Sequence, residues 1–211
     1  MLCNSIVLLR TVNNVKKEEK KTQVHEHLMT YEDYAKLPDD EIRYELGDGK
    51  LELMSPSPSA RHQVIGFELQ LLMKSACQTE YLILNAPLDV ILSPTEIRQP
   101  DLIAIHRSRV GMITDRGIEG APDLIVEILS PASIRRDKVQ KRLVYAKYGI
   151  PEYWIMDPAS ETLEQYILQS SQYELVDVYS GEIQIRSEKL TCISCSVADV
   201  MRAVNAEFPY A

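Results

Sequence analysis

Gln99-Pro100-Asp101-Leu102-Ile103-Ala104-Ile105 and Asp123-Leu124-Ile125-Val126-Glu127-Ile128-Leu129-Ser130 are two short apolar runs of strand length, each carrying an acid within it. An ionised carboxylate is costly to bury unless something pairs with it. A chain that keeps Asp101 and Glu127 in such runs, with Glu45 on a third predicted strand, implies that these acids converge on a cation or a base. If the two strands are neighbours, Asp101 and Glu127 face one cleft.

Outward from these runs, Thr30-Tyr31-Glu32-Asp33 reads as a capping box opening a short helix to about residue 37. Arg43-Tyr44-Glu45-Leu46 and Lys50-Leu51-Glu52-Leu53-Met54 read as strands around a glycine turn, Gly47-Asp48-Gly49. The loop Ser55-Pro56-Ser57-Pro58-Ser59 leads to a helix over about 60–76. Its crowd of apolar residues (Val64, Ile65, Phe67, Leu69, Leu71, Leu72, Met73) predicts burial on more than one side. Residues 81–92 read as one strand with Pro87 at an edge or bulge, and 97–105 and 123–129 as two more. The polar segment 107–122 reads as a short helix plus loops. Residues 133–148 read as a helix that Gly149 ends and Pro151 blocks. A strand at 152–158, a hairpin at 162–168 and 173–179, and a closing helix at 197–204 complete the chain. This order predicts an α/β sandwich with a mixed sheet rather than regular βα units. No glycine-rich phosphate loop or dinucleotide fingerprint is present, so ATP and NAD are not implied.

The chain has 211 residues, 45% of them hydrophobic and 26% charged, which suits one soluble globular domain. Residues 28–211 are assigned to that domain, and 1–27, with a basic run at 16–21, to a mobile N-terminal extension. The formal net charge of −8 argues against a protein that coats nucleic acid. It leaves room for an enzyme in which a bound divalent cation changes the local sign. No apolar run approaches the roughly 20 residues of a membrane span, so the expected location is cytoplasmic. Cys192-Ile193-Ser194-Cys195 has CxxC spacing without a second pair, and reads as two unrelated thiols rather than a zinc or redox site. No disulfide dependence is indicated.

Hydrolysis of a phosphodiester requires a nucleophilic water, charge stabilisation at phosphorus and help for the leaving oxygen. A hard cation held by carboxylates serves several of these needs at once. Pro100-Asp101 followed by Glu127-Ile128-Leu129 resembles the PD-(D/E)XK nuclease superfamily, and in detail its Uma-type restriction-endonuclease branch. The matching stretches include Thr30-Tyr31-Glu32-Asp33-Tyr34, Arg43-Tyr44-Glu45-Leu46, Ser55-Pro56-Ser57-Pro58 with Arg61-His62-Gln63, and Gln99-Pro100-Asp101-Leu102. They continue through Gly120-Ala121-Pro122-Asp123-Leu124, Val126-Glu127-Ile128-Leu129-Ser130-Pro131, Asp137 with Lys141 and Tyr145, and Gly149-Ile150-Pro151-Glu152-Tyr153-Trp154. The specificity lies in their joint order over roughly residues 28–200.

That resemblance implies a restriction-endonuclease-like fold, a central mixed sheet flanked by helices. It also implies Mg²⁺ (or Mn²⁺ in its place) and DNA as substrate. Glu45, Asp101 and Glu127 are the expected metal-holding acids. The superfamily lysine would fall at Leu129, where none stands. Lys141 is the first replacement and Lys138 the second, since Asp137, Lys141 and Tyr145 recur at four-residue spacing on one helical face. His62, Asp137, Lys138 and Tyr145 are the accessory candidates. A duplex cutter needs two sites or two passes, which favours a homodimer.

Each residue also has a plain structural reading. Asp101 serves as a turn cap, Glu45 as a hairpin ion pair, His62 as a helix-start packing residue, and Tyr153 and Trp154 as core. The net charge and the missing lysine favour the competing function, a nuclease-fold binding module that has lost its chemistry. A carboxylate-pair glycosidase ranks lowest, because one Trp and two Phe make a poor sugar platform.

Overall fold

A computed structural model describes residues 28–38, 42–54 and 57–209. The expected N-terminal extension and its basic run lie outside the described residues. The strands form two six-stranded mixed sheets rather than the single sheet the sequence suggests. The first holds β1 (Tyr44–Gly47), β2 (Lys50–Leu53), β4 (Val90–Ser93), β5 (Glu96–Arg98), β7 (Ile113–Thr114) and β8 (Gly117–Glu119), in the order β2-β1-β5-β4-β8-β7. The second holds β3 (Tyr81–Asn85), β6 (Leu102–His106), β9 (Leu124–Ile128), β10 (Glu152–Asp157), β11 (Thr162–Gln169) and β12 (Gln172–Ser180), in the order β12-β11-β10-β9-β6-β3. Each sheet has one parallel pair, β4 with β8 and β9 with β10.

The expected strands 81–92 and 97–105 are each cut in two, and the halves lie in different sheets. Proline explains both breaks. Pro87 and Pro100 lack the N–H that a continuous ladder requires, and the chain crosses from sheet to sheet at these points. The segment expected as a short helix plus loops forms a 3₁₀ turn at Arg107–Met112, followed by the short pair β7 and β8. Two and three residues carry too little alternation to register as strands.

Four α-helices accompany the sheets among the described residues: α1 (Tyr31–Tyr34), α2 (Ala60–Cys77), α3 (Arg142–Lys147) and α4 (Val197–Glu207). Asp33 Oδ2 accepts from Thr30 N at 3.0 Å, as the capping box requires. α2 buries one stripe, Ile65, Leu69, Met73 and Cys77, and leaves Phe67 61% and Leu71 46% exposed. Burial on several sides is therefore not found. That stripe and α4 pack on Leu102, Ala104, Leu124, Val126, Ile128, Trp154 and Met156, one face of the second sheet.

The opposite face carries Ile103 and Ile105, which meet Val90 and Ile118 of the first sheet, and Ile125, which packs with Tyr145 and Tyr153. Tyr153 and Trp154 are fully buried core residues. Strand alternation puts Glu127 on this second face with Ile125 and Leu129.

The cysteines also depart from expectation. Cys192 forms a disulfide with Cys77, across a sequence separation of 115, and Cys195 is a buried free thiol. CxxC spacing reports only local proximity, whereas this bond depends on α2 ending beside the segment that leads to α4.

Candidate active site

β6 and β9 are antiparallel neighbours, with Leu102 opposite Val126 and Ile103 opposite Ile125. Extending that register by one residue sets Asp101 opposite Glu127 on the same sheet face. Asp101 Oδ2 accepts from Ile128 N at 2.8 Å and lies 3.4 Å from His62 Nε2. His62 is delivered by the first turn of α2, which Ser59 caps by accepting from His62 N. The His62 Nε2 atom also lies 2.9 Å from Ile128 O. Burial lowers the imidazole pKa, but the hydrogen bond and charge of Asp101 outweigh it and leave it raised.

Lys141 Nζ reaches the same face from the other side. It donates to Glu127 Oε1 at 2.7 Å and sits 3.2 Å from Glu45 Oε1 and 3.9 Å from Asp137 Oδ1. The Tyr145 hydroxyl donates to Glu127 Oε1 at 2.7 Å. Residues 136–141 form one π-helical turn before α3 begins. Four residues under-rotate a π turn and over-rotate an α turn, so the two offsets oppose each other. Asp137, Lys141 and Tyr145 therefore stay on one line toward the sheet. Lys138 leaves that line and pairs with Glu164 at 2.7 Å at a partly exposed position.

Glu45 is 1% exposed and fully engaged. Its Oε1 accepts from Gln99 N at 2.8 Å as well as facing Lys141, and Oε2 faces Arg98 Nη1 at 3.3 Å. Burial works against its charge, yet Lys141 and Arg98 hold the carboxyl below its usual range. Glu127 behaves in the opposite way. Burial pushes it up to about 8 against the pull of Lys141, with Asp137, Asp101 and Glu45 adding to the rise. Lys141 is held protonated, since its carboxylates overcome the cost of burial.

Two contributors escape a reading of the sequence. Arg98 is buried among Glu45, Glu52 and Glu96. Its signal was the Glu96-Ile97-Arg98 alternation, which points two opposite charges to one strand face. Arg136 lines the cleft, and nothing in the neighbouring residues marks it. The cleft is a cavity of about 470 Å³ that also carries Arg43, His62, Asp101, Glu127, Asp137 and Lys141 on its walls.

The sequence pattern of one family matches residues 31–198, and that family is described as "Uma2: Putative restriction endonuclease". The chain belongs to the Uma2 family. A crystal structure from Anabaena variabilis ATCC 29413, described as a putative nuclease belonging to DUF820, has a similar fold, with a TM-score of 0.69 and 23% identity. The alignment covers 83% of this chain and 99% of that one. No curated protein matches closely enough to add a further comparison.

Two features of the Uma2 cleft bear on whether it could hold a hard cation. Its network gathers Glu45, Glu96, Glu127 and Asp137, with Asp101 at the rim, around Arg98, Lys141 and the partly buried Arg136, whose Nε lies 3.6 Å from Asp137 Oδ1. Asp137 Oδ1 is buried and accepts no hydrogen bond among the described residues. A hard divalent ion binds where carboxylate oxygens free of other partners face a cleft. Among the described residues no three His, Cys, Asp or Glu side chains converge in a metal-holding arrangement, because Lys141 sits between Glu45 and Glu127. Mg²⁺ needs only one or two carboxylates, with water and substrate phosphate completing its shell. Asp101 and Glu127 meet that requirement, whereas both oxygens of Glu45 already have partners. No described helix of this Uma2 chain is long and apolar enough to cross a membrane.

Proposed function

We propose that this chain is a Mg²⁺-dependent endonuclease (Mn²⁺ substituting) that hydrolyses DNA phosphodiester bonds with PD-(D/E)XK chemistry. The observation that carries this reading is Lys141 Nζ on Glu127, in the same cleft as Asp101. The lysine absent at Leu129 thereby has an equivalent from the helix. Asp101 and Glu127 would hold the cation, which supplies Lewis acidity at phosphorus and a more acidic water. Glu45 and Glu127 hold Lys141, while Arg98 anchors Glu45 and the Tyr145 hydroxyl anchors Glu127. Lys141 offsets negative charge developing on the phosphate oxygens as water adds and the ester oxygen leaves. Arg43 and Arg136 offer cations to the flanking phosphates. Cutting both strands in one encounter requires two such sites, which a homodimer supplies.

The test is cleavage of single- and double-stranded DNA with Mg²⁺, Mn²⁺ or EDTA, beside calorimetric titration of each metal. Metal-dependent cutting that EDTA stops supports the proposal. The lack of three converging ligands favours the second reading, a nuclease-fold binding module without chemistry. Protein that takes up neither metal and cuts nothing would establish that alternative.

A further inference from the structure

A second cavity, of about 150 Å³, opens beside the first and shares His62, Gln63, Ala86, Asp101 and Ile128 with it. Its remaining wall comes from Gly66, Phe67 and Gln70 of α2, with Asn85 and Leu102 of the second sheet. Positions 63, 66, 67 and 70 recur at helical spacing, so they form one face of α2 directed at this space.

Three features distinguish this wall from an ordinary solvent face. Phe67 is one of two phenylalanines in the chain, yet it is 61% exposed here rather than buried. Apart from the His62–Asp101 pair, the polar side chains are neutral amides. Gln70 Nε2 donates to Asn85 Oδ1 at 3.1 Å and Asn85 Nδ2 to Ala86 O at 2.8 Å, which orients both side chains. Gln63 has no side-chain partner among the described residues, so its donor and acceptor both remain open. Finally, the sole basic group is His62, already engaged with Asp101. A phosphate would meet Asp101 here without a free cation, whereas Arg43, Arg136 and Lys141 all line the first cavity.

An aromatic face and oriented amides, with no free cation to take a phosphate, suit a neutral planar group with a hydrogen-bonding edge. We infer that the second cavity receives one nucleobase, turned out of the DNA stack, from the nucleotide whose phosphate occupies the first cavity. Phe67 stacks on the base, and Gln63 and Gln70 meet its edge. This inference rests on the nuclease reading above and adds to it a base subsite. A base extruded from a duplex loses its stacking and pairing, so single-stranded or mismatched DNA is the better substrate.

The test is a cleavage-kinetics scan of oligonucleotides, each with one abasic position near the cut. Wild-type protein should show one position at which base removal raises KM about fivefold to a hundredfold, the range of base–aromatic stacking. Phe67→Ala should show the same loss on intact DNA and no further loss at that abasic position. Phe67→Trp should restore wild-type behaviour. Gln63→Leu should keep the stacking effect and flatten base preference at that position. Leu71→Ala, exposed on the same helix but off the cavity, is the control expected to match wild type. A flat abasic scan, or Phe67→Ala cutting intact DNA with wild-type KM, overturns the base subsite alone. Wild-type protein that cuts no DNA overturns the nuclease reading and this inference together.

Discussion

Lys141 Nζ donates to Glu127 Oε1 at 2.7 Å, joining the helix that follows β9 to the penultimate residue of that strand. The residue two positions after Glu127 is Leu129, so under the proposed chemistry the ammonium would come from the helix. Lys141→Ala should abolish cleavage. It should also destabilise the fold by about 3–5 kcal/mol, because Glu127 would stay buried without its cation and Glu45 would keep only Arg98 as its ion-pair partner. Lys138→Ala should keep cleavage and cost less than about 1 kcal/mol, since its pair with Glu164 is partly exposed. A cleavage assay with denaturant unfolding of both variants decides. Loss of activity from the Lys138 change alone would place the catalytic ammonium elsewhere.

Asp101 accepts the Ile128 amide as well as facing the cleft. Asp101→Ala therefore combines relief of acid–acid repulsion with loss of a backbone acceptor. Asp101→Asn keeps an acceptor and removes the charge. It should melt at nearly the wild-type temperature, fail to cut, and lack the upward Tm shift with Mg²⁺ that the proposal expects of wild type. Undiminished cleavage by the Asn variant would show that Asp101 serves only its local hydrogen bond.

The raised Glu127 pKa fixes a direction for pH. With an ordinary value of 4.5 raised to about 8 in the fold, the folded state binds more protons than the unfolded state between those values. Stability of the metal-free protein should therefore fall as pH rises from about 4.5 to 8, and Glu127→Gln should flatten that slope. Cleavage should rise over the same alkaline limb, because cation binding needs the ionised carboxylate, and more Mg²⁺ should move the inflection to lower pH. A rate profile indifferent to Mg²⁺ concentration would contradict this competition.

The Cys77–Cys192 bond closes a loop with a sequence separation of 115. Cys77→Ser or Cys192→Ser should lower Tm by roughly 5–15 °C, the equivalent of about 2–5 kcal/mol in a domain of this size. Cys195→Ser should not remove the effect of a reductant on wild type. Melting curves with and without dithiothreitol test both points.

The acid-bearing strands were legible as short apolar runs, and the helix with Asp137, Lys141 and Tyr145 and the closing hairpin as local patterns of period near four and two. The division into two sheets was not, since nothing in an apolar run states which sheet each half joins. Pro87 and Pro100 marked the breaks but also suited an edge or bulge. Leu53, Phe67 and Leu71 show the same limit in reverse, as apolar residues that the tertiary fold leaves exposed. The role of Glu45 was misleading in isolation. Its partners Arg98, Gln99 and Lys141 lie far along the chain, so no spacing rule ties it to them.

The bridge from Glu45 through Lys141 to Glu127 crosses from the first sheet to the second. Neither sheet alone holds the ammonium in place, and either alone would leave charges stranded in apolar surroundings. The centre is therefore complete only when the two sheets are docked. On the nuclease reading, a chain whose sheets have come apart would lose its lysine site together with its structural integrity.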